Sequence, residues 1–204
     1  MRAKSPSGCQ VVKKDQKCAV LRAFVLRSLE SRRLSGADCS SICLVARSLE
    51  SPAARVLASL ADDIAALRIN VRAVITAIDS NEFGGDSTVK LCAPFTAEST
   101  RVVHDARLYD AHEQLILDDA TTWVGDCMRR EPSKTDAFER FAENCAVSTK
   151  WSQQAFNSLW RAGQPAKFDA TPNVGIAAMT DALKAIAVPG QSVKEVLLNS
   201  ATRH

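Results

Sequence analysis

The stretch AHEQLILDDATTWVGD, Ala111 to Asp126, holds the residues with the most chemistry in the chain. In an extended strand His112, Gln114 and Ile116 point to one face, and Glu113, Leu115 and Leu117 to the other. His112 and Gln114 can therefore act on the same object. An imidazole serves as a nucleophile or as a general acid or base near neutral pH. The Gln114 amide donates a hydrogen bond to a phosphate-like oxygen but carries no charge. Asp118 or Asp119 could orient the imidazole by accepting its Nδ1–H. The sequence has no GxSxG, no P-loop and no GxGxxG, and Gly84-Gly85 reads as a loop hinge.

Other candidates surround this stretch. Arg107 precedes it, and Arg129 and Arg130 follow it; their guanidinium groups suit phosphate. Cys127 lies beside the glycine turn and is a weaker nucleophile candidate, since Asp126 flanks it. His104 could meet His112 only across neighbouring strands, and His204 is the last residue. The seven cysteines form no CxxC pair, and the Cys39/Cys43 spacing has no zinc-like counterpart. Free, mostly buried thiols in a reducing cytoplasm are expected, with no metal and no cofactor.

These residues need a scaffold. Residues 1–17 read as a basic, poorly ordered arm. The apolar positions Val20, Leu21, Phe24, Val25 and Leu29 trace one face of a helix that ends near Ser35-Gly36. Ser41–Ala46 is a candidate buried strand. Ser51 as N-cap and Pro52 at the first helical position open a helix through Leu67. Residues 71–78 (VRAVITAI) form the next strand, which completes a parallel β-α-β unit. The loop from Asp79 leaves its carboxyl end, where ligands bind in such sheets, so Asp79 and Asn81 are positioned to matter.

Strands are expected over Arg101–Tyr109 and Ala111–Leu117, with a hairpin partner over Thr121–Val124. Helices are expected over Asp136–Cys145 and from a Ser148 cap to Gly163. Phe138, Phe141, Trp151, Phe156 and Trp160 recur at helical spacing and read as core. Beyond Pro165 two short helical segments are expected. The fold class is α/β, a mixed sheet flanked by helices, over residues 18–163, with residues 164–204 as a helical extension.

In order and pattern, residues 41–163 resemble one half of a phospholipase D-like phosphodiesterase. That family's signature is His, any residue, Lys, four residues, Asp, then a strand ending in Gly-Ser or Gly-Gly. His112 takes the histidine position, Gln114 the lysine position and Asp119 the aspartate position, with Gly125 near the terminal glycine. The resemblance implies a histidine that attacks phosphorus, lysines that hold the phosphoryl oxygens, and a second histidine from another copy of the motif. Here Lys is Gln114, Gly-Ser is Gly125-Asp126, and one motif is present, so a complete site would need a homodimer. Losing one preorganised cationic donor costs about 3 kcal/mol, roughly a hundredfold in rate.

The leading expectation is a divergent single-motif domain, weak or inactive as a phosphodiesterase, that binds a phosphate-containing ligand or assembles with a partner. The second is a homodimeric phosphodiesterase or nuclease with His112 as nucleophile. The third is nucleic-acid association through residues 1–35, which hold nine Lys/Arg against two Asp/Glu, leaving 17 against 21 for the rest of the 26 and 23. No apolar run approaches the roughly 20 residues of a membrane span, and a secretory signal is not expected.

Overall fold

The computed structural model describes residues 8–35, 41–76, 93–129 and 136–166. The chain divides into two compact units, Met1–Phe168 and Asp169–His204, and every described residue belongs to the first. Asp79, Asn81, Arg130 and His204 lie outside the described residues, as does the extension beyond residue 166.

Eight strands form one mixed sheet. In chain order they are β1 (Gly8–Lys13), β2 (Ser41–Ala46), β3 (Asn70–Thr76), β4 (Thr100–Val103), β5 (His112–Ile116), β6 (Thr122–Cys127), β7 (Asp136–Ala142) and β8 (Gln164–Pro165). Their spatial order is β1-β7-β6-β5-β2-β3-β4-β8. The β2-β3 and β3-β4 pairs are parallel and the others antiparallel. The expected α/β class is therefore the observed one.

Helices cover both faces. The helices α1 (Lys17–Ser35), α2 (Pro52–Ser59) and α3 (Ala61–Ala66) lie on one. Leu21, Phe24, Val25 and Leu29 of α1 pack there with Ile42, Leu44, Leu57, Ile75, Leu115 and Trp123. On the other face α4 (Ala146–Ala162) sets Phe156 against Cys43, Val45, Val74, Ile116 and Met128. Coverage on both sides explains why every β2 residue after Ser41 is buried.

Several expectations need correction. Residues 8–13 are not part of an arm: they form β1, paired antiparallel with β7. Residues 136–142 are not a helix but β7, where Glu139 rather than an apolar residue faces the α1 side. The strand expected through Tyr109 stops at Val103 because Asp105 caps a 3-10 helix over Ala106–Asp110, accepting from the Arg107 N–H at 2.9 Å. The helix from Pro52 breaks at Leu60, between α2 and α3. Ser51 occupies the N-cap, yet its hydroxyl makes no cap bond. The last helix starts at Ala146 with Cys145 as N-cap, two residues ahead of Ser148. Gln164–Pro165, placed in the helical extension, pairs with β4 instead.

The aromatic set divides. Phe156 is fully buried, and Trp160 stacks on it at 5.7 Å. Phe141 meets Phe24 edge-on at 5.1 Å. Phe138 and Trp151, in contrast, are 78% and 70% exposed, so they are not core. Of the four thiols whose burial is described, Cys43 is buried, Cys127 and Cys145 are half-buried and Cys18 is exposed. Among the described residues no helix is long and apolar enough to cross a membrane.

Candidate functional site

The parallel strands β2, β3 and β4 end at Ala46, Thr76 and Val103, the end of the sheet where β5 begins and β6 finishes. Ligands of α/β sheets bind at such carboxyl ends. His112 stands there as the first residue of β5 and is exposed.

A β-bulge shapes its surroundings. Gln114 pairs with Val124, but His112 pairs with Cys127, so Gly125 and Asp126 together lie opposite Glu113. The bulge brings the Gly125 carbonyl within 2.8 Å of His112 Nδ1. A carbonyl only accepts, so Nδ1 carries the hydrogen and Nε2 is the basic nitrogen. The expected orienting carboxylate is thereby replaced by a backbone oxygen.

Asp119 does not reach the imidazole. It and Asp118 sit in the β5-β6 turn, at the opposite end of β5 from His112. Asp118 Oδ1 accepts from the Ala120 N–H at 2.8 Å. Both carboxylates raise the affinity of Arg32 for its proton, against the larger lowering caused by burial of that guanidinium. Their charge therefore serves the packing of α1 on the hairpin.

The two phosphate candidates among the described residues, Arg107 and Arg129, are paired with carboxylates. Arg107 grips Asp105 through Nε at 3.0 Å and Nη2 at 2.7 Å. The Arg107 side chain and backbone N–H hold the Asp105 carboxyl down at about 2. Arg129 pairs with Asp110 at 3.1 Å. Gln114 is half-buried, on the sheet face covered by α4, and its Oε1 is buried without a hydrogen-bond partner. Cys127 Sγ contacts the Arg129 carbonyl at 3.5 Å. His104 follows β4, which β3 and β2 separate from β5, so the two histidines do not meet across neighbouring strands.

Arg47 was missed in the sequence. It follows β2 directly, and its Nη1 donates to the Met128 carbonyl at 3.2 Å, one residue beyond the cross-strand partner of His112. The signal was available in principle: a basic residue at the carboxyl end of a central parallel strand sits at the ligand edge of the sheet. Among the described Lys/Arg of residues 8–35, four face acidic groups of the fold. Lys17 pairs with Glu139, Arg27 with Glu143 and Arg33 with Asp63, and Arg32 feels Asp118 and Asp119.

No family model matches the chain, and no curated protein does. The chain is similar to a number of solved structures, among them two that each cover 78% of it. One is Nuc from Salmonella typhimurium, a phospholipase D family member, with TM-score 0.48 and 16% identity, covering 78% of this chain and 98% of that one. The other is TrmBL2, an archaeal chromatin protein described as showing a novel mode of DNA binding, with TM-score 0.43 and 13% identity, covering 78% of this chain and 55% of that one.

Proposed function

We propose that this chain is a divergent, single-motif phospholipase D-like domain, weak or inactive as a phosphodiesterase, that works as a binding or assembly module. The observation that supports the reading is the pairing of two candidate phosphate-binding cations with carboxylates, alongside a neutral amide at the motif's lysine position. Gln114 stands where the motif has its lysine, Arg107 is bound to Asp105, and Arg129 is paired with Asp110. Charge developing on a phosphoryl oxygen requires fixed positive donors. Arg47 stands at the right end of the sheet, with one N–H already given to the Met128 carbonyl.

A second reading is favoured by the imidazole itself. With Nδ1–H held by the Gly125 carbonyl, Nε2 is poised as a nucleophile. A homodimer bringing two His112 side chains together would supply the leaving-group acid. Hydrolysis of bis(p-nitrophenyl) phosphate by the full chain decides between them. The expected result is hydrolysis near background, not lowered further in His112→Ala. Robust hydrolysis that disappears in His112→Ala, from a species that light scattering shows to be a dimer, would establish the second reading instead.

A further inference from the structure

The two margins of the sheet are finished differently. β8 is two residues long and ends in Pro165, which has no N–H to offer a neighbour. β1 is six residues long, contains no proline and carries no charge before Lys13. Among the described residues β7 is the one strand paired with it. Its outer edge therefore presents a row of backbone N–H and C=O groups, a template for a further strand.

Side chains make the same margin apolar. Val11 and Phe138 are direct cross-strand partners on β1 and β7, 51% and 78% exposed. Glu139 faces α1, so Phe138 and its partner Val11 share the opposite face. On that face α4 packs over β2, β3, β4, β5 and β6 and leaves both side chains in water. Symmetry limits how a second copy can use this edge. A two-fold axis normal to the sheet runs the two β1 strands antiparallel and keeps like faces together. Facing residues then differ by an even count, and the registers centred on Gln10 or on Val11 pair five of the six residues. The Val11 register sets Val11 against Val11, with Phe138 of each copy one strand behind. It sets each Lys13 opposite Cys9, so no like charges meet.

We infer that β1 is a self-association edge: two copies join antiparallel through Gly8–Lys13, with Val11 opposite Val11, and their two sheets become one. The row Phe138-Val11-Val11-Phe138 is the apolar centre of the junction. A second copy supplies an edge of the same length, polarity and register, with its own phenylalanine behind it. The junction is small, near the roughly 1,000 Å² below which interfaces are transient, so the dimer is weak. The strands β6, β7 and β1 separate each β5 from the junction, so the two His112 side chains stand about 30 Å or more apart. This dimer is therefore not the one that paired histidines need. The inference rests on the assembly side of the proposed reading.

The test is sedimentation equilibrium of the full 204-residue chain. A monomer–dimer equilibrium with Kd of about 10–100 μM is expected. Val11→Lys and Val11→Glu each set like charges opposite across the axis and are each expected to weaken it about tenfold or more. Mixing these two variants is expected to restore a heterodimer, since opposite charges then face each other. Phe138→Ala is expected to weaken the dimer and His112→Ala to leave it unchanged. Val11 and Phe138 are exposed, so their substitutions leave the core intact, and unchanged melting temperatures check this. Hydrolysis of bis(p-nitrophenyl) phosphate by Val11→Lys is expected to equal that of the unaltered protein, which separates this junction from the hydrolysis assay. A chain that stays monomeric at about 200 μM overturns the inference, as does a dimer that Val11→Lys leaves intact. Two charged variants that stay monomeric when mixed overturn the Val11 register, and growth beyond a dimer overturns the closed two-fold junction. A monomer that instead sediments with phosphatidylserine vesicles, and does not in Phe138→Ala, overturns the second copy as occupant.

Discussion

Lys17, in the first turn of α1, and Glu139, on β7, form an ion pair at 2.8 Å in which the Glu139 side chain is fully buried. The other Glu139 oxygen accepts from Trp123 Nε1 at 2.9 Å, and the Lys17 ammonium lies 5.2 Å from the centre of that indole. Three elements, α1, β6 and β7, are thus tied through one carboxylate.

Removing that carboxylate leaves an indole N–H and an ammonium without their partner. Glu139→Leu is expected to lower unfolding free energy by about 3 kcal/mol, and Glu139→Gln by less, because its amide oxygen still accepts from Trp123. The double change Lys17→Met with Glu139→Leu should recover much of the loss, since an apolar pair needs no counter-charge. Urea denaturation measures all three. Equal stability of Glu139→Leu and the unaltered protein would show that the pair holds nothing together.

Gly125 links the core to the imidazole. A Cβ there would come within 2.3 Å of the fully buried Trp123 ring, while the Gly125 carbonyl orients His112. Gly125→Ala is expected to cost about 2 kcal/mol through overpacking. It should also move the His112 ring resonances in an NMR spectrum. Unchanged stability and unchanged His112 shifts would contradict the close approach.

Cys145 has an acidified thiol. The Ser148 hydroxyl at 3.2 Å and the Ser148 backbone N–H stabilise the thiolate, with Arg140 adding a smaller attraction. A lowered pKa means that the thiolate persists to lower pH, so the alkylation rate should rise at a lower pH than for an ordinary cysteine. Ser148→Ala removes the largest cause and should shift that rise upward. Cys43 is opposite in sign: burial raises its thiol, and it should resist labelling until the protein unfolds. Mass spectrometry after iodoacetamide pulses across a pH series reads both, and identical profiles for Cys145 in the two proteins would refute the Ser148 effect.

The basic amino-terminal segment needs a cut placed by structure. Removing residues 1–7 leaves β1 whole, whereas removing residues 1–17 deletes β1 and Lys17 together. The shorter deletion is expected to keep the melting temperature, and the longer one to lower it by several degrees or more. Salt-dependent DNA binding should therefore be compared between the full chain and the shorter deletion. Loss of low-salt binding in that comparison would support nucleic-acid association through the tail; equally weak binding would remove it.

How much was legible varied with how local each cause is. The β2-α2-β3 unit was readable because Pro52 opens the helix and the flanking strands are short, largely apolar runs rich in β-branched residues. The hairpin of β5 and β6 was readable from alternation around Asp118-Asp119. β7 was misread because its inward position holds Glu139, whose partners Lys17 and Trp123 are distant in sequence. Ala137, Phe138, Phe141 and Ala142 then mimic a helical stripe. β1 was missed because six residues of mixed polarity become a strand only through pairing with β7. The holding of His112 by a backbone carbonyl leaves no mark in side-chain types, nor does the commitment of Arg107 to Asp105 two residues before it.

The sheet begins and finishes at opposite margins, with β1 outermost on one side and β8 on the other. Seven inter-strand spacings separate them, roughly 33 Å before twist is considered. Splicing residue 166 back to residue 8 would thus demand a bridge of about ten extended residues across the full width of the sheet. Circular permutation of this unit calls for a long tether, and dyes attached near the two margins would start far enough apart for energy transfer to report the splitting of the sheet.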